Sequence, residues 1–238
     1  MNLKFLYAVY GLISTILLTS CFGENPYDVK SAGEAKDVMT GTNLENHIRL
    51  DTILRPGLYG LGPYDNLQGE ITLYNGIPFI STVVNGKVKM RIDSNAKAPF
   101  FVYSHLNYRK VKETVRWGKI KDIDYSMQRI KEYYNIPEDD AFPFIIEAEF
   151  AKISLHIIMR DTNETSHSHE AHQKAKVPFE YKNIKGKLIG FYSKNDQGVF
   201  TPEGSRIHVH FLANDGSVAG HLDGIKHQSG IKVTIPEM

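Results

Sequence analysis

The segment R-I-H-V-H-F-L-A-N-D-G-S-V-A-G-H-L, residues 206–222, contains two histidines before a turn signal and a third histidine after it. Asp215 and Gly216 separate two runs rich in apolar residues, a pattern typical of a two-residue type I′ hairpin turn. Such a turn pairs Asn214 with Ser217 and fixes which residues face each other along the two strands. The segment therefore predicts an antiparallel hairpin.

The predicted register brings the three histidines to one face of the hairpin. His210 lies opposite His221, and His208 points to the same face because side chains alternate along a strand. Facing Cβ atoms lie roughly 4.5–5.5 Å apart, which lets imidazole nitrogens bind one ion at about 2.0–2.1 Å. Three protein ligands and an open fourth position are typical of catalytic zinc. The alternative is a set of satisfied polar residues on a half-buried sheet, and a register slip of one residue would turn His221 away.

The composition limits the classes of protein to consider. The chain has 238 residues, of which 42% are hydrophobic, enough for one sizeable core or two small subdomains. Its 28 Lys and Arg residues nearly balance 27 Asp and Glu residues, for a formal charge of +1. Neither a nucleic-acid groove nor a polybasic membrane patch is indicated, so we expect no nucleic-acid partner.

The N-terminus is typical of a bacterial lipoprotein signal. Lys4 precedes a mostly apolar segment at 5–18, and Leu18–Cys21 (L-T-S-C) resembles a lipobox. The resemblance implies lipidation of Cys21, cleavage before it, and a lipoprotein anchored in the bacterial cell envelope, facing the periplasm or the exterior. The alternatives are a buried structural cysteine and an uncleaved membrane helix, the latter disfavoured because the apolar segment is short.

We expect three parts along the chain: a signal peptide at 1–20, a flexible tether at 21–40, and one folded domain at 41–238. The tether is polar and contains Gly and Pro. In the domain, two Asn-Gly turns predict a meander over 69–92. Further strands are expected at 99–103, 144–150, 153–159, 187–192 and 231–235.

One segment has clear helical periodicity. Ile123, Met127, Ile130 and Tyr134 form a single apolar stripe, which Pro137 must end. We therefore expect an α+β fold that is mostly β, with mixed or antiparallel sheets in two closely packed subdomains and one main helix.

Three further residues are candidates for chemistry. Glu70 begins a predicted strand, where an exposed carboxylate is the common alternative. His156 lies on the less apolar face of its strand and, taken alone, is more typical of a structural residue. Arg206 shares the face of His208 and either binds a substrate carboxylate or lies solvated at the strand end.

The run N-E-T-S-H-S-H-E-A-H, residues 163–172, holds His167, His169, Glu170 and His172 without strand or helix periodicity. One interpretation is a solvated loop that binds metal adventitiously. The other is a lid that lends imidazoles to a nearby site.

Three segments in order resemble the alpha-acetolactate decarboxylase family, zinc enzymes that convert 2-acetolactate to acetoin and carbon dioxide. Residues 57–76 (G-L-Y-G-L-G-P-Y-D-N-L-Q-G-E-I-T-L-Y-N-G) are similar to the family's G-x-G-T-F-x-x-L-D-G-E segment. Residues 179–191 (F-E-Y-K-N-I-K-G-K-L-I-G-F) resemble its F-x-F-x-N-V-x-G-T-x-V-G-F segment. Residues 207–221 resemble its H-L-H-F signature with a third histidine downstream.

The resemblance implies Zn²⁺ on His208, His210 and His221, and a small hydroxy-keto acid as substrate. It makes Glu70 the active-site glutamate that manages a proton, while zinc acts as a Lewis acid on the substrate oxygens. A homodimer is left open.

Two departures from the family matter. His156 aligns where the family has an arginine that holds the substrate carboxylate. The chain also lacks the family's longer tail and its zinc-proximal glutamate, for which Glu237 is not a secure match.

Two other functions therefore stay open. One is a zinc-dependent lyase or isomerase acting on another hydroxy-keto acid. The other is a non-catalytic lipoprotein that binds zinc or a ligand. Cupin dioxygenases also carry an H-x-H motif on a β-strand, but they add a glutamate a few residues later. Residues 212–220 contain no glutamate, so this class is disfavoured.

Overall fold

The computed structural model describes residues 28–106, 111–117, 123–163 and 168–236. Cys21, His167 and Glu237 lie outside the described residues. The strands and α-helices, in chain order, are β1 Lys30–Ala32, α1 Ala35–Thr40, β2 Ile48–Arg49, β3 Leu58–Pro63, β4 Glu70–Tyr74, β5 Ile77–Val84, β6 Lys87–Ile92, β7 Lys97–Ala98, β8 Phe101–His105, β9 Val111–Trp117, α2 Ile123–Tyr133, β10 Phe142–Ile158, α3 His169–Lys174, β11 Lys176–Tyr192, β12 Ile207–Ala213 and β13 Ala219–Pro236.

The first sheet has six antiparallel strands in the order β1-β8-β3-β4-β5-β6. Its meander turns at the two predicted Asn-Gly pairs, where Asn75 and Gly76 have φ of 51° and 79°, and Asn85 and Gly86 have φ of 51° and 71°. Two successive positive φ values are what a type I′ turn requires. The predicted meander is confirmed.

The second sheet closes on itself. Its order is β10-β11-β12-β13-β9, and β10 also pairs with β13, so the four strands β10 to β13 form a small barrel. The two strands predicted at 144–150 and 153–159 are one strand, because register shifts in its pairing with β13 let it bend without breaking. β11 begins at Lys176, well before the predicted 187. The sequence did not indicate its first half, because that half is partly exposed and largely polar.

The barrel interior and the main helix form one core. Phe150 and Phe211 pack edge to face inside the barrel, and Met127 and Ile130 of α2 are buried against the same cluster. The predicted helical stripe is confirmed. Alternate residues of β12 point away from this core, so the odd-numbered side chains fill the barrel and the even-numbered ones face the six-stranded sheet.

The folded body begins earlier than residue 41. Lys30 pairs with Tyr103 in the six-stranded sheet, and Ala35 and Val38 of α1 are buried in a core cluster. Gly41, with φ of 73°, ends the helix in the left-handed conformation. The segment predicted as a tether to residue 40 is therefore too long, because Ala35 and Val38, three residues apart on α1, are buried on one face of that helix.

The described residues form a mostly β fold of antiparallel sheets with few helices, as expected. Tyr59 of the six-stranded sheet packs with Ile145, Ile189 and Leu212 on the outside of the barrel. The two sheets thus share an apolar interface. None of the helices in the described ranges is long and apolar enough to cross a membrane.

Candidate metal centre

The histidine hairpin has the predicted register but a different turn. His210 lies opposite His221 in the ladder between β12 and β13. The amide of Gly216 donates to the carbonyl of Ala213 at 3.0 Å, and the amide of Ala213 donates to the carbonyl of Val218 at 2.9 Å. Only Gly216, with φ of 70°, is left-handed among the turn residues. The type I′ prediction is wrong, since a wider loop preserves the same register.

The three predicted histidines converge. One ligand nitrogen from each of His208, His210 and His221 lies within 4.8 Å of the others. Nε2 of His208 is 3.2 Å from Nδ1 of His221. His208 and His210 are 6% and 0% exposed and His221 is partly buried, so two of the three rings are withdrawn from bulk water.

Hydrogen bonds orient two of these rings. The Nδ1–H of His208 donates to the carbonyl of Phe200 at 3.0 Å, which leaves the lone pair on Nε2. Nδ1 of His210 is 3.0 Å from Oγ1 of Thr72 on β4. Nε2 of His210 is buried and has no hydrogen-bond partner among the described residues. A buried nitrogen without a partner, beside two other imidazoles, is the arrangement that a bound metal satisfies.

The imidazoles are held in the form that binds metal. Burial lowers the pKa of His208 to about 4. It also lowers the pKa values of His210 and His221 well below the usual range, with the neighbouring imidazoles adding to the effect. Neutral imidazole with a free lone pair is the species that coordinates zinc and other transition metals.

Glu70 projects from the other sheet into the same site. The Ile158 amide donates to its Oε1 at 3.2 Å, and its Oε2 is 3.7 Å from Nε2 of His210. Burial raises the pKa of Glu70 to about 8, against the opposing effects of the Ile158 hydrogen bond and the charge of Lys176. The carboxyl is thus not the exposed group that its type suggests, and it holds its proton at neutral pH.

His156 joins the cluster from a third strand. It lies opposite His221 in the ladder between β10 and β13, and the two rings are 4.6 Å apart at their centroids. Its Nδ1 is 2.8 Å from Oδ1 of Asp223. Sequence reasoning missed Asp223, although its place two residues after His221 puts it on the same face.

Arg206 does not face the cluster as predicted. Its Nε lies 2.9 Å from Oδ1 of Asp124, its Nη1 donates to Oε1 of Gln128 at 2.8 Å, and its guanidinium lies over the ring of Tyr192. Arg206 precedes the first residue of β12, so the alternation of the strand does not fix the direction of its side chain. The Asp124 carboxylate on α2 and the ring of Tyr192 attract the guanidinium instead. A substrate contact by Arg206 is not supported.

The histidine-rich run has more structure than its sequence indicates. Its described part includes α3, in which the Ser168 hydroxyl accepts a hydrogen bond from the Ala171 amide as an N-cap. His172 has a buried Nδ1 without a hydrogen-bond partner among the described residues, and burial lowers its pKa to about 4. His169 instead contacts Gln173 at the surface.

A cavity of about 140 Å³ connects these groups. Its polar lining comprises Glu70, His156, His172, Lys176, His208 and His221. Sequence reasoning missed Lys176, because only the pairing of β11 with β10 shows which way its side chain faces.

The comparisons with known proteins agree with this geometry. The family model described as alpha-acetolactate decarboxylase matches residues 32–238. The chain belongs to this family. The resemblance inferred from three sequence segments is therefore confirmed, and the match begins inside the segment predicted as a tether.

Curated members of the alpha-acetolactate decarboxylase family are distant from this chain in sequence. The alpha-acetolactate decarboxylase of Brevibacillus brevis is 25% identical over 178 residues, which are 75% of this chain and 59% of that protein. The one from Methanosarcina mazei is 22% identical over 178 residues, 73% of this chain and 57% of that protein. The chain thus spans less than two thirds of the length of these relatives.

Solved structures support the fold. Alpha-acetolactate decarboxylase from Bacillus subtilis strain 168 superimposes with a TM-score of 0.70 at 15% identity, covering 88% of this chain and 85% of that one. A Staphylococcus aureus protein of unknown function, described as similar to alpha-acetolactate decarboxylase, gives a TM-score of 0.69 at 15% identity and the same coverage.

Proposed function

We propose that this member of the family is a zinc-dependent carboxy-lyase that converts 2-acetolactate to acetoin and carbon dioxide. The observation that carries the proposal is the cluster of three imidazoles, held neutral by burial, next to the protonated carboxyl of Glu70, with a cavity of about 140 Å³ lined by Glu70, His208 and His221. Zinc is the proposed metal because neutral imidazoles suit it and the cavity offers no thiolate.

His208, His210 and His221 are the residues that would hold the metal. When bound, zinc supplies Lewis-acid polarisation of the substrate's ketone and hydroxyl oxygens. The burial of the three rings keeps them neutral, and the hydrogen bonds from His208 to the Phe200 carbonyl and between His210 and Thr72 fix their orientation.

Glu70 is the proposed proton donor. Loss of carbon dioxide leaves electrons on the carbon that carried the carboxylate, and that carbon takes a proton to give acetoin. A carboxyl with a pKa of about 8 is protonated at neutral pH and is matched to this step. The Ile158 amide holds the other carboxyl oxygen in place.

His156 is the proposed second catalytic residue. Its Nδ1–H donates to the Asp223 carboxylate, which fixes the ring and leaves Nε2 free for a substrate group. It stands where the family resemblance places an arginine, so its contact with the substrate is necessarily different from a bidentate arginine contact.

An acetolactate assay tests the proposal. Protein beginning at residue 22 is loaded with zinc, and acetoin and carbon dioxide are measured. We expect turnover that a chelator abolishes and added zinc restores. Folded, zinc-loaded protein that releases no carbon dioxide from acetolactate would overturn the proposal.

A second candidate is a zinc-dependent lyase or isomerase that acts on another hydroxy-keto acid. The observation that favours it is His156 in place of the family arginine, since a changed carboxylate contact changes substrate preference. A panel of 2-hydroxy-3-keto acids with different alkyl groups, compared by kcat/KM, separates the two. A zinc- or ligand-binding lipoprotein without activity is the outcome if none is turned over.

We also propose that the chain is a lipoprotein of the bacterial cell envelope. The support is the sequence L-T-S-C at Leu18–Cys21 after an apolar segment. Metabolic labelling with a palmitate analogue in a bacterial host is the test. Label that persists in Cys21→Ser would contradict it.

A further inference from the structure

Lys176 lines the same cavity as the proposed catalytic residues Glu70 and His156, although it belongs to a different strand. It is the first residue of β11 and lies directly opposite Ile158 of β10. Ile158 and His156 are two residues apart, so all three side chains share one face of the sheet. Lys176 is therefore the diagonal neighbour of His156, at a backbone distance of about 7–8 Å that a long side chain spans.

The charge of Lys176 has no partner at this site. Lys176 forms no ion pair with any residue in the described ranges. Exposed lysines such as Lys152 and Lys174, in contrast, pair with glutamates at the surface. Among the described residues that line the cavity, Glu70 is the only one with a carboxyl group. Oε1 of Glu70 already accepts a hydrogen bond from the Ile158 amide, and the nearby Asp223 carboxylate contacts His156.

Electrostatic effects on the lining groups agree with this position. Burial is the largest influence on the pKa of His172, and the charge of Lys176 lowers that pKa further. The same charge opposes the effect of burial on Glu70. The ammonium is therefore close to both His172 and Glu70, which line the same cavity of about 140 Å³.

We propose that Lys176 binds the carboxylate of the substrate and supplies the positive charge that an arginine at position 156 would otherwise provide. The inference rests on the proposed function, since it assigns one substrate group of that reaction. A compact ammonium makes a single charge-assisted contact and not a bidentate one, so it holds a carboxylate with less geometric specificity than an arginine does.

The test compares two ligands that differ only in the carboxylate. The first is 2,3-dihydroxy-2-methylbutanoate, the substrate with its ketone reduced, and the second is butane-2,3-diol, which has the same vicinal hydroxyls. Both are titrated calorimetrically into the zinc-loaded protein. For Lys176→Met we expect binding of the acid to weaken by about 10- to 100-fold, the usual value of a hydrogen bond to a charged group, while the diol is unaffected.

Two further variants control the experiment. Lys176→Arg keeps the charge and should retain most of the affinity for the acid. Lys185→Met removes an exposed lysine of the same strand, whose side chain is 69% exposed, and should bind the acid as the wild type does. Zinc content is measured in each variant, so that loss of metal is not mistaken for loss of the carboxylate contact.

The outcomes separate this inference from the proposed function. Unchanged binding of the acid to Lys176→Met, equal loss for acid and diol, or no binding of the acid to the wild type would overturn the inference. Lys176-dependent binding of the acid without any turnover of acetolactate would overturn the proposed function and leave the inference standing. Turnover with a KM that rises in Lys176→Met supports both.

Discussion

Two strands of this molecule, β6 and β12, both belong to hairpins but have opposite surroundings. β6 lies at the edge of the six-stranded sheet, and its Lys87, Lys89 and Arg91 are exposed or partly exposed. β12 pairs on both sides, and six of its seven residues are buried. Polar residues on β6 are therefore solvated, whereas the two histidines of β12 are buried away from solvent.

The difference teaches where polar residues signal function. Charged residues on an edge strand need no partner and help to prevent edge-to-edge pairing. Buried imidazoles lower stability unless each nitrogen is paired, and Nε2 of His210 has no hydrogen-bond partner in the part of the chain that the structure describes. We therefore expect a metal bound to the histidines of β12 to offset this loss of stability, and we expect no such dependence on metal for β6.

The largest expected effect is loss of the metal from β12. The double variant His208→Ala, His210→Ala removes two of three ligands, so zinc content should fall from about one per chain to near zero. Elemental analysis of purified protein measures this. His169→Ala, on the exposed side of α3, is the matched control and should keep its zinc. Full zinc occupancy in the double variant would rule out the hairpin site.

The next effect is on the rate. Glu70→Gln keeps the shape of the side chain but cannot deliver a proton, so kcat for acetolactate should fall by about 10² to 10⁴-fold. Glu149→Gln, on β10 near Lys185, is the control and should leave kcat unchanged. A Glu70→Gln variant with wild-type kcat would show that the proton comes from elsewhere.

A smaller effect concerns stability against pH in the metal-free protein. The pKa of Glu70 is raised in the folded state, so its contribution is fully present below the unfolded value of 4.5 and is lost as pH rises through about 8. Thermal midpoints of metal-free wild type and Glu70→Gln, measured from pH 6.5 to 9, should therefore diverge, with the wild type falling more steeply. The lowered pKa of His208 acts at the other end, below pH 6.5, and does not interfere. Parallel curves would contradict the buried, protonated state of Glu70.

The smallest effect is expected at the turn that leads into β6. Gly86 has φ of 71° and open space around its Cα, so Gly86→Ala meets no clash and adds only the backbone cost of a left-handed alanine, about 1 kcal/mol. Urea unfolding measures it. Zinc content and kcat should stay at wild-type values, and any loss of zinc would mean that the two regions are coupled.

Local sequence patterns predicted the elements whose signals are short-range. The Asn-Gly pairs specify their turns because Asn and Gly tolerate positive φ, and the stripe from Ile123 to Ile130 specifies a helix by its period. The hairpin register was predictable for a related reason: the loop around Gly216 widens symmetrically, so His210 still meets His221.

The environment of each site residue was not predictable in the same way. Glu70 has the sequence context of an exposed carboxylate, and only the opposing barrel wall buries it. Arg206 lies two residues before His208, a spacing that predicts the same face of the strand. Its side chain nevertheless contacts Asp124 of α2 and the ring of Tyr192.

The sequence by itself determined the meander, the helix, the histidine register and the family, because each depends on residues close together along the chain or on a pattern of their order. Only the tertiary structure decided that β10 closes onto β13 and that His156 and Lys176 reach one cavity with Glu70. Strands far apart in sequence make those contacts, and the pKa of a group depends on what is packed over it. That information lies in the pairing of distant segments, which no local pattern of residues records.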